Sequence, residues 1–85
     1  MPLIIRLDDT SDHGGKVITS AQKTLAEGKK IARKDDILDC PAHGENKIVE
    51  ASENFLVEGK GVARHGDKTE CGASLIASAT KSKAN

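Results

Sequence analysis

The sequence predicts an all-β fold, a small single domain of short strands arranged in three pseudo-repeats. An arginine followed by aspartate after three residues and by histidine or cysteine after seven occurs at residues 6–13, 33–40 and 64–71. A longer segment at residues 16–32 aligns without a gap with residues 47–63. These segments contain short apolar pairs and glycine turns, and repeated units of this kind usually complete one core together.

The first predicted strands are short apolar runs. Residues 1–6 contain four apolar side chains besides proline, and we interpret them as the first strand. Each repeat then contains an apolar pair rich in β-branched side chains, which favour strands. The third pair belongs to a truncated third copy of the repeat. The pairs are Val17-Ile18, Ile48-Val49 and Leu75-Ile76.

A second run in each complete repeat, residues 24–26 and 54–57, leads into a predicted tight turn. The turn has the sequence Glu-Gly-Lys in both copies, and Gly28 and Gly59 can take positive φ there without steric cost. Helix is the alternative for residues 21–34, which contain good helix formers. The second copy carries a β-favouring Phe-Leu-Val run at the matching place, so strand is predicted throughout.

The composition limits the class of protein. With 85 residues and 36% apolar content, the chain forms one domain with a small core, and it needs a further stabilising element such as a metal. Thirteen basic and thirteen acidic residues give a formal net charge of zero, and Phe55 is the only aromatic residue. Nucleic acid is therefore not an expected partner, because its binders carry basic surfaces and base-stacking aromatics.

The amino-terminal segment indicates the compartment. Residues 1–6 are too short for the hydrophobic region of a signal peptide or for a membrane span. We expect synthesis without a signal peptide in the cytoplasm, and thiols stay reduced in that compartment. Export by a route that needs no cleaved signal is an open alternative. Residues 1–79 are predicted to form the domain and residues 80–85 a frayed tail.

Two cysteines and two histidines predict one closed metal site. His13, Cys40 and Cys71 occupy the same position in the three repeats, and His43 follows Cys40 by three residues. A structural zinc site takes four Cys or His ligands in a tetrahedron, and thiolate with imidazole favours zinc over iron or copper. We predict one structural zinc ion per chain, bound by these four residues, and no catalytic residue.

Alternatives to this ligand set follow from the same residues. Cys40 and Cys71 can form a disulfide with the histidines left in solvent, or they can remain inert thiols. His65 follows the repeat arginine in a variable position, where a surface histidine is expected more often than a ligand. It is nevertheless a candidate to replace one ligand of the shell.

Each repeat also contains an arginine–aspartate pair. The pairs are expected either to brace the ligand loops through hydrogen bonds to the backbone or to be ordinary surface charge. They are Arg6/Asp9, Arg33/Asp36 and Arg64/Asp67.

Two glycine–lysine segments and three ligand segments together resemble a known family. Gly28-Lys-Lys-Ile-Ala-Arg33 and Gly59-Lys-Gly-Val-Ala-Arg64 are similar to the Gly-Lys-Pro-Ala-Ala-Arg signature of PAAR-repeat proteins. Asp12-His13-Gly-Gly, Asp39-Cys40-Pro-Ala-His43-Gly and Glu70-Cys71-Gly-Ala are similar to the zinc-ligand segments of that family. The resemblance covers residues 6–79. It lacks the signature proline, and Asp35 stands where the family has glycine.

The resemblance implies a structural role in a type VI secretion system. PAAR-repeat proteins are small β-rich cones with a zinc-pinned apex, and the base of the cone binds the trimeric valine–glycine-repeat spike protein. By this resemblance the chain sharpens the spike for membrane piercing, crosses the target envelope transiently without a transmembrane segment, and is exported with the spike. Effector proteins are further expected partners. A chain that ends six residues after the last repeat resembles the members without toxin extensions.

Two other function classes are compatible with a zinc-stapled domain. A small metalloenzyme keeps three protein ligands and an open position for water. Four ligands fill the shell, and 85 residues leave little room for a substrate pocket, so we expect no enzymatic activity. A zinc-stapled adaptor or effector-binding module needs only a rigid fold and an exposed face, and binding to the spike trimer distinguishes it from a tip.

Overall fold

A computed structural model describes residues 1–84, which form strands, turns and connecting segments. No helix occurs in those residues, so the helical alternative for residues 21–34 is wrong, and no helical membrane span is found there. The strands are β1 Thr10–Ser11, β2 Lys16–Val17, β3 Leu25–Ala26, β4 Lys29–Lys30, β5 Ile37–Cys40, β6 Gly44–Lys47, β7 Leu56–Val57, β8 Lys60–Gly61 and β9 Leu75–Ile76.

The strands pair antiparallel in small sheets, and two of the pairings link different repeats. β1 pairs with β9, and β5 lies between β2 and β6. β3 with β4 and β7 with β8 form two matched hairpins. The predicted first strand, residues 1–6, is not a regular strand; residues 3, 4 and 6 instead form isolated bridges to three different parts of the chain.

A cyclic set of backbone hydrogen bonds arranges the three repeats with pseudo-threefold symmetry. The Ile5 amide donates to the Ala63 carbonyl at 2.9 Å and the Ala63 amide to the Ala32 carbonyl at 3.0 Å. The Ala32 amide donates back to the Ile5 carbonyl at 2.9 Å. These residues occupy the same position in the three repeats and are completely buried. The chain therefore closes into a ring of three units.

The two ends of the chain complete the third unit together. The Ile4 amide donates to the Ser82 carbonyl at 2.7 Å, and the Ala84 amide donates to the Pro2 carbonyl at 3.0 Å. A backbone hydrogen bond equivalent to the one from Ile4 lies at the base of the β3–β4 hairpin and at the base of the β7–β8 hairpin. The truncated third repeat therefore obtains its missing strand from the amino-terminal segment.

Two clusters of buried side chains form the core. The first includes Cys40 and has Cys71 packed against it, so it lies next to the ligand loops. The second contains residues of the hairpins and of the two chain ends, and no ligand candidate. The ligand loops and the hairpins therefore lie against different parts of the core. The largest buried side chains of the first cluster are Ile5, Leu38, Ile48 and Leu75.

Both hairpins have the tight turn that the Glu-Gly-Lys sequences predict. Glu27 and Gly28 have φ of 50° and 84°, and Glu58 and Gly59 have φ of 51° and 86°. Positive φ at both central residues is typical of a type I′ turn, whose twist matches that of the paired strands. A non-glycine residue in this conformation costs roughly 1–2 kcal/mol, so each turn glutamate needs a compensating contact.

The side chain of each turn glutamate supplies that contact by binding a loop of another unit. The Glu58 carboxylate accepts the amides of Gln22 and Lys23 at 3.0 Å each and the hydroxyl of Thr24 at 2.9 Å. These hydrogen bonds, with the Lys23 amide as the largest contribution, lower the pKa of Glu58 to about 2. The hairpin turns therefore lock the units to one another.

The frayed tail predicted for residues 80–85 is not observed over residues 80–84. Three consecutive amides, beginning with Thr80, donate to the Glu27 carboxylate, and Ala84 is completely buried. The same amides, that of Lys81 above all, hold the pKa of Glu27 well below its usual range. The last residue of the predicted tail, Asn85, lies outside the described residues.

Candidate metal centre

Loops of all three units bring the four predicted ligands together. His13 lies between β1 and β2, Cys40 is the last residue of β5, His43 directly precedes β6, and Cys71 lies in the loop before β9. The end of β1 pairs with the start of β9, and the start of β2 pairs with the end of β5, so the β1–β2 loop, the β5–β6 loop and the loop before β9 meet at one end of the ring.

The candidate ligand atoms form one compact group. All four lie within 4.8 Å of one another. Cys40 Sγ is 3.9 Å from His13 Nδ1 and 3.7 Å from His43 Nδ1. Cys71 Sγ is 3.8 Å from His13 Nδ1, so this nitrogen lies within 3.9 Å of both sulfur atoms. The centroids of the two imidazole rings are 5.6 Å apart.

These distances fit a tetrahedral metal site. With zinc–sulfur bonds of about 2.3 Å and zinc–nitrogen bonds of about 2.0 Å, sulfur and nitrogen ligands of one tetrahedron lie roughly 3.6 Å apart. The observed sulfur–nitrogen distances of 3.7 to 3.9 Å exceed this value only slightly, so small side-chain movements would be enough for these atoms to coordinate one ion. Cys40 is buried and both histidines are exposed, which leaves the imidazole side open for entry of an ion.

Thr69 favours the thiolate form of Cys71. Its Oγ1 lies 3.3 Å from Cys71 Sγ. This hydrogen bond is the main reason that the pKa of the Cys71 thiol is lowered to about 6; the Ala73 amide adds to the effect, while burial opposes it. The thiolate is the form that binds metals, so Cys71 is prepared for coordination at neutral pH.

Backbone contacts fix the ligand loops in place. The Cys71 amide donates to Asn46 Oδ1 at 3.2 Å, which ties the third ligand loop to the second. A Cβ atom on Gly15 would lie 2.0 Å from the Asp39 carbonyl oxygen, so only glycine allows the first and second loops to approach this closely. Close packing beside the ligands therefore depends on Gly15.

The repeated arginine–aspartate pairs brace the turns that precede the ligand loops. In each pair the aspartate Oδ2 accepts the main-chain amide of the arginine, at 2.8, 2.7 and 2.9 Å along the chain. Asp9, Asp36 and Asp67 are all buried, so the surface-charge alternative is wrong for these carboxylates.

The structure does not bring His65 into the ligand group. Its Nδ1 instead accepts the Ala77 amide at 3.1 Å. Cys40 and Cys71 are both free thiols, so the disulfide alternative is not observed either. The predicted set of four is therefore the set that lies together; that these side chains bind a metal ion stays a prediction.

Sequence reasoning missed two residues that support the ligands. The repeat gave no indication of a role for Thr69, because the equivalent positions carry Ser11 and Leu38, which are different residue types. Between its arginine and the following lysine, the second repeat is four residues longer than the first, and Asn46 lies in this insertion. The insertion was the sequence signal that could have pointed to Asn46.

A comparison with protein-family models finds the PAAR motif over residues 7–77, which is most of the chain. The chain belongs to the PAAR motif family. The resemblance inferred from the repeats is thereby confirmed, while a comparison with curated proteins finds no match. The PAAR motif is associated with tip proteins of type VI secretion spikes, and its family is structural rather than catalytic.

The ligand group of this PAAR protein is suited to binding one metal ion. Two thiols and two imidazoles within one coordination sphere can hold a metal ion. An ion held there would join residues from all three units, next to the larger of the two core clusters.

Proposed function

We propose that this PAAR protein is a structural tip that caps the trimeric valine–glycine-repeat spike protein of a type VI secretion system for membrane piercing and effector delivery. Family membership supports the proposal, and the observation that carries it is the backbone ring of Ile5, Ala32 and Ala63. A single cap on a threefold trimer faces three equivalent surfaces. A chain built from three equivalent units is suited to that task.

The proposed metal is one structural zinc ion per chain, held by His13, Cys40, His43 and Cys71. When bound, zinc contributes folding free energy, on the order of 10 kcal/mol in zinc-finger peptides. A filled shell of four protein ligands has no position for a reactive water, which supports a non-catalytic role. The protein is proposed to be made in the cytoplasm and to leave the cell with the spike.

The hairpins form the proposed contact face for the spike. Leu25 and Leu56 occupy equivalent positions in them and are 57% and 61% exposed. The hairpins pack on the core cluster that contains no ligand candidate, so this face is separate from the metal centre. Exposed apolar side chains that recur between units are typical of an interaction surface.

Binding to the purified spike trimer tests the proposal. Native mass spectrometry is expected to detect one chain per trimer. Replacing both exposed leucines (Leu25→Lys with Leu56→Lys) should weaken binding by roughly tenfold or more, because buried apolar anchors dominate such interfaces. Ile76→Lys in β9, at 39% exposure, is the matched control and should bind normally. A folded, zinc-loaded protein that does not bind the trimer contradicts the tip role and leaves a zinc-stapled adaptor or effector-binding module as the remaining function.

A further inference from the structure

A pocket of about 630 Å³ lies in the second unit, and none of its lining residues belongs to the ligand group. It is lined by residues of the segment that follows the second ligand loop, by β7 and by the third repeat arginine. Its principal side chains are Lys34, which follows the second repeat arginine, and Val49, Glu50, Glu53, Leu56 and Arg64.

The equivalent place in the first unit holds a β-turn. The turn of the β7–β8 hairpin lies there, and the Arg33 guanidinium donates to the carbonyls of Glu58 and Ser20 at 3.4 Å each. The Glu58 carboxylate is held at the same place by the amides of Gln22 and Lys23. The arginine therefore binds the turn backbone while loop amides bind its acidic side chain.

The equivalent place in the third unit repeats this arrangement with the β3–β4 turn. Arg6 donates to the Glu27 carbonyl at 3.2 Å and to Ser78 Oγ at 2.8 Å. The amides of Lys81 and Ser82 donate to the Glu27 carboxylate at 2.9 and 2.7 Å. The fold thus contains two examples of a turn bound at this position of the repeat.

In the second unit the same place is the pocket. Arg64, which corresponds to Arg6 and Arg33, turns its guanidinium to Asp67 at 3.0 and 3.1 Å. Its ring neighbour is the unit completed by the two chain ends, and residues 1–84 provide no third turn to this place. The pocket therefore has the architecture of a turn-binding site.

The charges of the pocket differ from those of the two turn-filled places. The amides of Asn54 and Phe55, which correspond to amides that hold a turn glutamate elsewhere, donate to Ser52 Oγ at 3.2 and 3.0 Å. Glu50 and Glu53 stand where the first and third units carry neutral side chains. Apart from the paired Arg64 and Asp67, the charged residues that line the pocket are Glu50, Glu53 and Lys34. An acidic turn residue would lose these two amide donors here and face an excess of negative charge.

We propose that this pocket binds a β-turn of a partner polypeptide whose first central residue is lysine or arginine. Arg64 donates to the main-chain carbonyls of the bound turn, as its two counterparts do. The basic side chain lies beside Glu50 and Glu53, while Val49 and Leu56 contact the flanking strands of the turn. This site does not depend on the spike-tip function, although it shares Leu56 with the proposed spike face.

An NMR titration of the ¹⁵N-labelled full chain with cyclic hairpin peptides tests the site. One peptide has the sequence of residues 24–31 with Glu27→Lys, and the second keeps Glu27; cyclisation holds the turn, because a free two-stranded hairpin is only marginally stable. The lysine peptide is expected to shift the amides of residues 49–56 and 64–67 saturably. The glutamate peptide should bind at least about tenfold more weakly, the ratio being set by charge complementarity.

Charge-reversal variants complete the test. Glu53→Lys should abolish the preference for the lysine peptide, and Glu53→Gln should reduce it, while both keep the dispersed spectrum of a folded chain. Gln22→Lys is the matched control, since it alters the equivalent position of a place that already holds a turn. Equal binding of the two peptides to the parent chain, or no saturable shift with the lysine peptide, overturns the proposal.

Discussion

The four candidate ligands differ in environment, and the differences assign them separate tasks. Cys40 is buried against the core and contacts both imidazoles, so it anchors the group to the fold. Cys71 is half-buried and is biased toward thiolate by Thr69. His13 and His43 are exposed and complete the group from the solvent side.

Loss of one sulfur ligand should destabilise the whole domain. We expect Cys71→Ser to lower the free energy of unfolding by roughly 4 kcal/mol or more, as is typical when a structural metal is lost. Zinc per chain, measured by elemental mass spectrometry, should fall from near one to near zero, and chelator should no longer change the melting temperature.

His65→Ala is the matched control for that variant. It removes one exposed hydrogen bond, to the Ala77 amide, and should cost only about 1 kcal/mol while zinc stays bound. Full zinc content in Cys71→Ser, or zinc loss in His65→Ala, contradicts the ligand set.

The ligand positions were predictable because repeat register places chemically similar side chains at one location in space. Cys40 and Cys71 are far apart in sequence, and only the assumption of equivalent units connects them. The Thr69 contact was not predictable, because it depends on a side-chain orientation that its neighbours in the repeat do not share.

At the scale of elements, the two hairpins act as clamps between units. Each is short, and an isolated hairpin of this size is marginally stable. Its turn glutamate reaches a loop far away in the chain and there accepts three hydrogen bonds at Glu58 and four at Glu27. The Glu-Gly-Lys sequence predicted the turn; the clamp was not predictable, because it exists only when the ring closes.

The clamp makes stability depend on pH in acid. The folded-state pKa of Glu58, about 2, lies below its usual value of 4.5, so its contribution is present above pH 4.5 and is lost as the pH falls toward 2. Glu58→Gln removes that contribution. The difference in unfolding free energy between parent and variant, measured by urea denaturation from pH 7 to pH 3, should therefore shrink below pH 4.5.

Glu27→Gln provides the matched comparison. The pKa of Glu27 is depressed further than that of Glu58, so the parent–variant difference should persist to lower pH. Because acid releases a bound metal from parent and variants alike, the differences isolate the carboxylates. A difference that stays constant from pH 7 to pH 3 in both variants would contradict the clamp.

At the scale of the molecule, closure of the ring was the part of the fold that the sequence marked least clearly. Ile4-Ile5-Arg6 aligns with Ile31-Ala32-Arg33, so the arginine register carried the signal. The residues before it, Met1-Pro-Leu, share nothing with the Gly-Lys segments of the other repeats. They were therefore interpreted as a separate first strand, and the tail that pairs with them was expected to fray.

The register of the ring predicts that the chain tolerates circular permutation at a hairpin turn. Ala84-Asn85-Met1-Pro2 corresponds to Ala26-Glu27-Gly28-Lys29, and the Ala84 amide already bonds to the Pro2 carbonyl. Joining residue 85 directly to residue 1 with Met1→Gly creates an Asn-Gly dipeptide, which favours the type I′ turn seen in both hairpins. A permutant opened between Glu27 and Gly28 should fold within about 2 kcal/mol of the parent and bind zinc equally.

The control permutant carries the same junction but is opened between Gly14 and Gly15, inside a ligand loop. It frees the chain between His13 and β2, where Gly15 packs against the Asp39 carbonyl, so it should lose zinc and melt at a much lower temperature. Thermal unfolding followed by circular dichroism and zinc analysis compare the two. If the hairpin permutant unfolds while the linear parent remains folded, the joined chain ends do not form a third turn in this register. If both permutants fold and bind zinc equally, the ligand loops are not the rigid part of the ring.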